Sequence, residues 1–206
     1  FAEAHYSIGA IYLGSGQLEQ AVQGFAAAVR ADPGYLQARL QLAHALRRLR
    51  RFDAALAEYE GALRLDPRLA EARLGYAVSL ADSARWGSAR AWLQEGRRTY
   101  PGRPEFTELL VRVLAAAPDA NVRDGAQAVT LGRGLVEQNR TSRTLEAMAM
   151  ALAESGAFDE AVARQQEAID DYGRRTGRAN AAMTAILHRY ERREPCRVPW
   201  VGDPIG

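Results

Sequence analysis

Small and large apolar residues recur along the first half of the chain with a period of 34 residues. In units beginning at Ala2, Leu36 and Ala70, the seventh, eighth and eleventh places hold Ile8, Gly9 and Tyr12, then Leu42, Ala43 and Leu46, then Tyr76, Ala77 and Leu80. Spacings of one and four residues put each set on one face of a helix. The twentieth, twenty-fourth and twenty-seventh places hold Ala21, Phe25 and Ala28, then Ala55, Tyr59 and Ala62, then Ala89, Leu93 and Gly96, which predicts a second helix in every unit. Small residues on that face let the two helices approach closely, and the large residue between them fills the gap. Gly14-Ser15-Gly16 supplies the turn between the helices of the first unit, where glycine takes the left-handed conformation that ends a helix. Asp32-Pro33, Asp66-Pro67 and Tyr100-Pro101 stop each second helix and direct the chain into the next unit.

The pattern loosens and then returns. Glu105 to Ala117 and Asp124 to Gln138 read as the helices of a fourth unit, lengthened by the stretch Pro118 to Arg123. Met148, Ala149, Leu152, Gly156, Phe158, Ala161 and Ala168 repeat the original places in a fifth. Arg178 to Arg193 patterns as one further helix, with Ala182, Ile186 and Tyr190 on a face, and Glu194-Pro195-Cys196-Arg197-Val198-Pro199-Trp200 cannot be helical. The expected organisation is an array over 1–175 (units 2–35, 36–69, 70–103, 104–141 and 142–175), a capping helix over 176–193 that shields the last apolar face, and an extended tail over 194–206.

Ala4, Tyr6, Ile8, Gly9, Tyr12, Gly16, Ala21, Phe25, Ala28 and Pro33 together resemble the tetratricopeptide repeat. The resemblance implies an all-α fold, a right-handed α-α superhelix of five helix-turn-helix repeats plus the C-terminal capping helix. Leu114-Ala115-Ala116-Ala117-Pro118-Asp119 followed by Arg123-Asp124-Gly125 is similar to a variant that ends arrays in bacterial members of the family, which points to a bacterial source.

Composition then removes most other classes of function. Twenty-seven basic residues, all Arg, face twenty-five acidic ones for a net charge of +2, too balanced for a dedicated polyanion binder. The chain contains no Lys, which excludes Schiff-base and P-loop chemistry. A single cysteine, Cys196, excludes an internal disulfide and any Cys-rich zinc site. No run reaches the roughly 18 to 20 apolar residues of a membrane helix, so no membrane insertion is expected. His5, His44 and His188 lie far apart, and none has a second ligand at metal spacing, so no metal and no cofactor are expected. The cluster Arg47, Arg48, Arg50 and Arg51 falls at a helix end, where cations complement the helix dipole, and lacks interleaved aromatics for base stacking, so no nucleic-acid partner is expected. No Ser, Cys or carboxylate pair has a partner in a catalytic spacing. Neither a targeting segment nor an initiating Met is present, so bacterial cytoplasm and periplasm stand equally open as locations.

What remains is binding. In the family's geometry the first helices line a concave groove, and projecting its inner places onto this sequence gives Tyr6, Leu40, Gln41, His44, Arg47, Arg48, Leu74 and Val78, with Glu108, Arg112, Glu146, Met150 and Glu154 from later units. The places at which relatives clamp a chaperone's C-terminal carboxylate hold Tyr6, Ala10, Gln41, Glu71 and Gly75, which do not fit that ligand. The resulting expectation is a non-enzymatic interaction scaffold holding a peptide segment or protein surface with apolar and acidic residues. Two alternatives stand beside it: a homo-oligomer assembling head-to-tail through the ends of the solenoid, with Trp200 as an assembly contact, and the recognition arm of a larger enzyme such as a glycosyltransferase.

Overall fold

The computed structural model describes residues 1–200, 204 and 205. Among these the chain forms eleven α-helices and no strand: α1 Ala2–Gly14, α2 Leu18–Ala31, α3 Leu36–Arg48, α4 Phe52–Leu65, α5 Ala70–Asp82, α6 Trp86–Thr99, α7 Pro104–Ala116, α8 Gly125–Gln138, α9 Ser142–Glu154, α10 Phe158–Thr176 and α11 Ala181–Glu191. They gather into two compact units, Phe1–Ala89 and Arg90–Gly206, which divide inside α6.

In the first unit the 34-residue columns become the core. Ala21, Phe25, Ala28, Ala43, Ala55, Tyr59, Ala62 and Ala77 are sealed from solvent. Each helix packs on the next in sequence, from α1 on α2 through α4 on α5. Asp32 and Asp66 cap α2 and α4 in extended conformation, as the following Pro33 and Pro67 demand, and their carboxylates accept from the backbone N–H of Gly34 and Arg68 at 2.9 Å.

The turns within the first three helix pairs each contain a left-handed residue. Gly16 fills that place in the first repeat at φ 75°, while 34 and 68 residues further on the same place holds Arg50 at φ 59° and Ala84 at φ 61°. A non-glycine residue costs about 1–2 kcal/mol there, against a smaller entropic cost for glycine. Ala84→Gly is therefore expected to stabilise the chain by about 0.5–1 kcal/mol in urea unfolding followed by circular dichroism. Arg50→Gly should gain less, because it also gives up the Arg50 guanidinium lying 5.4 Å from the Phe52 ring centroid.

The second unit is built around α7, which is buried almost all round from Phe106 to Ala116 and packs on both α8 and α9. The long connection after it is pinned by Arg123, which donates to the carbonyls of Ala117 and Pro118, and by Asp124, whose side chain caps α8 at Gln127. Thr141 and Thr144 form a capping box on α9, and Asn180 caps α11. α11 covers α10 with Met183, Ile186, Leu187 and Tyr190 buried. Arg193 at φ 58° then turns the chain back, and the backbone N–H of Glu194 donates to the Arg189 carbonyl.

Candidate functional site

The candidate groove residues fall on the first helix of each pair, α1, α3, α5, α7 and α9, but they differ sharply in access. Arg48 is exposed, and Tyr6, Gln41 and His44 are half-buried. Leu40, Arg47, Leu74 and Val78 in the first unit, and Arg112 and Met150 in the second, are buried. Leu40, Leu74, Val78 and Met150, which the family's geometry projects into an open groove, are instead consumed by packing between helices, and polar groups meet the solvent.

In the first unit Tyr6 sits between Phe25 and Tyr35, with ring centroids 5.6 and 5.3 Å away. His44 is held from both sides: its Nδ1 is hydrogen-bonded to the Tyr59 hydroxyl at 3.0 Å, and its Nε2 lies 3.2 Å from a Glu71 carboxylate oxygen. Gly75 makes this possible, because a Cβ there would stand 2.4 Å from the Tyr59 ring. Arg47 reaches Asp82 at 3.5 Å, Arg51 reaches Glu19 at 2.9 Å, and Arg50 lies over Phe52. The basic cluster is thereby largely spent within the fold, with Arg48 left facing solvent.

In the second unit the inner face centres on Arg112, whose five N–H groups all meet acceptors. Nε donates to Glu108 at 3.2 Å, and Nη2 donates to Glu146 at 2.8 Å and to the Arg143 carbonyl at 3.0 Å. Nη1 faces the Met150 sulfur at 3.9 Å and the Pro199 carbonyl at 3.3 Å. Burial alone would lower the pKa of this guanidinium, but Glu146 and Glu108 outweigh it and hold the value above the ordinary one. Arg143 donates to Glu108 and, at 2.7 Å, to the carbonyl of Pro204. Glu154 accepts from Arg123 at 2.8 Å and from Arg197 at 2.6 Å. The tail therefore returns onto its own unit, and Trp200, half-buried, lines a cavity of about 190 Å³ together with Met150, Met183 and Ile186. The sequence pointed to Trp200 but carried no sign that Arg143 and the tail carbonyls complete the Arg112 site.

Among the described residues no group of three or more His, Cys, Asp or Glu could hold a metal, and no helix is long and apolar enough to cross a membrane.

Paired helices at a 34-residue period, with a side chain from each second helix filling the gap left by small residues on the first, define the class: the chain is a tetratricopeptide-repeat protein. Two tetratricopeptide-repeat family models match it, over residues 2–35 and 46–113. Its fold is similar to that of a thermophilic TPR protein from Thermus thermophilus, at 15% identity and TM-score 0.70, covering 93% of this chain and 99% of that one. It is also similar to pilF of Pseudomonas aeruginosa, at 25% identity and TM-score 0.68, covering 93% and 83%. A shorter likeness, at 20% identity and TM-score 0.50 over 54% of this chain and 91% of the other, is to the first TPR of Spaghetti (RPAP3), solved bound to an HSP90 peptide. Comparison with curated protein sequences gave no match. Tetratricopeptide-repeat proteins bind protein or peptide partners and are generally non-enzymatic scaffolds.

Proposed function

We propose that this chain is a non-enzymatic binding module that holds a segment of a partner protein against the inner faces of its first helices. The observation that supports this most is the division of labour on those faces. Apolar residues are locked into packing, while Gln41 and Arg48 remain within reach of solvent as hydrogen-bond donors. Hydrogen-bond donors over a rigid apolar floor suit a segment that offers main-chain carbonyls and acidic groups, with half-buried Tyr6 available to an apolar side chain.

The test is selection of peptides from a displayed library on the full chain, followed by calorimetry with the double variant Gln41→Ala, Arg48→Glu. Both positions are outside the buried core, so the fold should survive. At least tenfold weaker binding of the selected peptides is expected, the equivalent of about 1.4 kcal/mol. Unchanged affinity for all of them would overturn the assignment.

A second reading, assembly with further copies, has one observation in its favour. Ile8 and Ile11 on α1 are exposed, whereas their counterparts Leu42 and Ala45 on α3 are buried. Light scattering over a wide concentration range decides it: a mass that grows with concentration supports assembly, and a constant monomer mass removes it.

A further inference from the structure

The return of the tail onto the second unit has a chemistry of its own. Of the five N–H groups of Arg112, four are engaged by groups on α7 and α9, and the fifth acceptor is a main-chain carbonyl from Pro199. Arg112 is 5% exposed, so a buried guanidinium here depends on an acceptor that the helices themselves do not provide. Arg143 makes the same kind of bond to the carbonyl of Pro204. Both arginines thus read the backbone of an extended segment and not its side chains. Arg197 anchors the start of the segment on Glu154, and within the segment Cys196 and Pro199 are buried.

The segment is suited to this use. Pro195, Pro199 and Pro204 have a fixed φ, which limits the conformations open to the undocked tail and reduces the entropy lost on docking. Its contact is incomplete, because the cavity bordered by Val198, Trp200 and Pro204 on the tail side and by Met150, Met183 and Ile186 on the helix side is left unfilled. A docked segment held by arginine-to-carbonyl bonds and the Arg197–Glu154 pair, beside a cavity lined by Met150, Met183 and Ile186 together with Glu108, Arg143 and Glu146, is a contact that another segment can improve on.

We propose that the tail, through residues 195–200 and Pro204, acts as an intramolecular ligand of the second unit's inner face, a built-in competitor displaced by a partner segment of the same chemistry. That partner is an extended, proline-containing stretch that presents main-chain carbonyls to Arg112 and Arg143 and an aromatic or large aliphatic side chain to the cavity. The displacement by a partner rests on the binding-module reading above, whereas the docking of the tail in its own chain does not.

The probe is a fluorescein-labelled synthetic peptide covering residues 194–206 with Cys196→Ser. It is titrated by anisotropy into the wild-type chain and into a full-length variant with a loosened tail, Pro199→Gly, Trp200→Ala. The loosened chain should bind the peptide at least tenfold more tightly, because the competing closed state has been depopulated. Adding Arg143→Glu to that chain should abolish the gain. Equal binding by the two chains, with matching circular dichroism, overturns the proposal. The unaltered chain provides an independent readout should the variant fail to fold. Excess peptide must raise the rate at which Ellman's reagent labels the buried Cys196 thiol, and a rate unchanged at millimolar peptide overturns the proposal. A dimer lost in the loosened variant would place the tail in a second copy and overturn the intramolecular assignment. Failure of the tail peptide while library peptides still depend on Gln41 and Arg48 sinks this inference alone. Success of the tail peptide with no effect at Gln41 and Arg48 leaves it standing and removes the first-unit site.

Discussion

Arg112→Met is expected to destabilise the protein by about 3–5 kcal/mol, the cost of removing one partner from a buried ion pair and stranding the other. Glu108 is 8% exposed at its side chain and Glu146 17%, so neither regains full hydration when the guanidinium goes. The pH dependence identifies the mechanism. In the variant, a carboxylate buried without its cation has its folded-state pKa raised above the unfolded value of about 4.3, so it prefers to bind a proton. The deficit against wild type should therefore be full above the raised folded pKa and shrink as the pH falls towards the unfolded value. Adding Glu146→Gln to Arg112→Met should recover part of the loss at neutral pH, since Glu108 keeps Arg143 at 3.1 Å and Glu146 is the carboxylate whose pairing with Arg112 is lost. Urea unfolding at pH 7 and pH 4.5 checks both statements. A loss of the same size at both pH values would show that packing of the long side chain, and not its charge, is what Arg112 contributes.

Gly75→Ala is expected to cost about 2 kcal/mol even though alanine is the better helix former. An added Cβ would lie 2.4 Å from two atoms of the Tyr59 ring, which is fully enclosed and has nowhere to retreat. The gain of about 1 kcal/mol in helix propensity is outweighed. Gly134 in α8 provides the control, because an added Cβ there meets nothing within 4 Å. Gly134→Ala should stabilise by about that 1 kcal/mol, so the two substitutions have opposite signs in the same urea assay. Gly75→Ala also reaches the inner face, since a displaced Tyr59 gives up its 3.0 Å hydrogen bond to His44.

The contrast between these sites shows what a single sequence exposes and what it hides. The helix pairs were legible because their cause is periodic: the small and large columns at Gly9, Phe25, Ala43 and Tyr59 repeat every 34 residues, and Pro33 and Pro67 mark the ends. The left-handed turn was legible at Gly16 but not at Arg50 or Ala84, where the fold imposes on ordinary residues a conformation that they do not advertise. The inner faces were legible as faces and not as surfaces. Leu40, Leu74, Val78 and Met150 occupy the projected places, yet access depends on how tightly neighbouring first helices pack, which no spacing encodes. Arg112 was singled out as a groove cation, whereas it is a buried hub. Charged residues are mostly exposed, and only the three-dimensional meeting of Glu108, Glu146 and the tail makes its burial tolerable. Of the docked tail the sequence marked only Trp200, as an assembly contact, because the other determinants are the carbonyl oxygens of Pro199 and Pro204, and every residue has a carbonyl.

The central claim is that the first helices of the pairs form the binding surface, and hydrogen–deuterium exchange of the full chain with and without a saturating selected peptide tests it most directly. Added protection is expected on the first helices, α1, α3 and α5 in the first unit or α7 and α9 in the second, with α2, α4, α8 and α10 unchanged. Protection confined to those second helices, with the first helices unaffected, would contradict it.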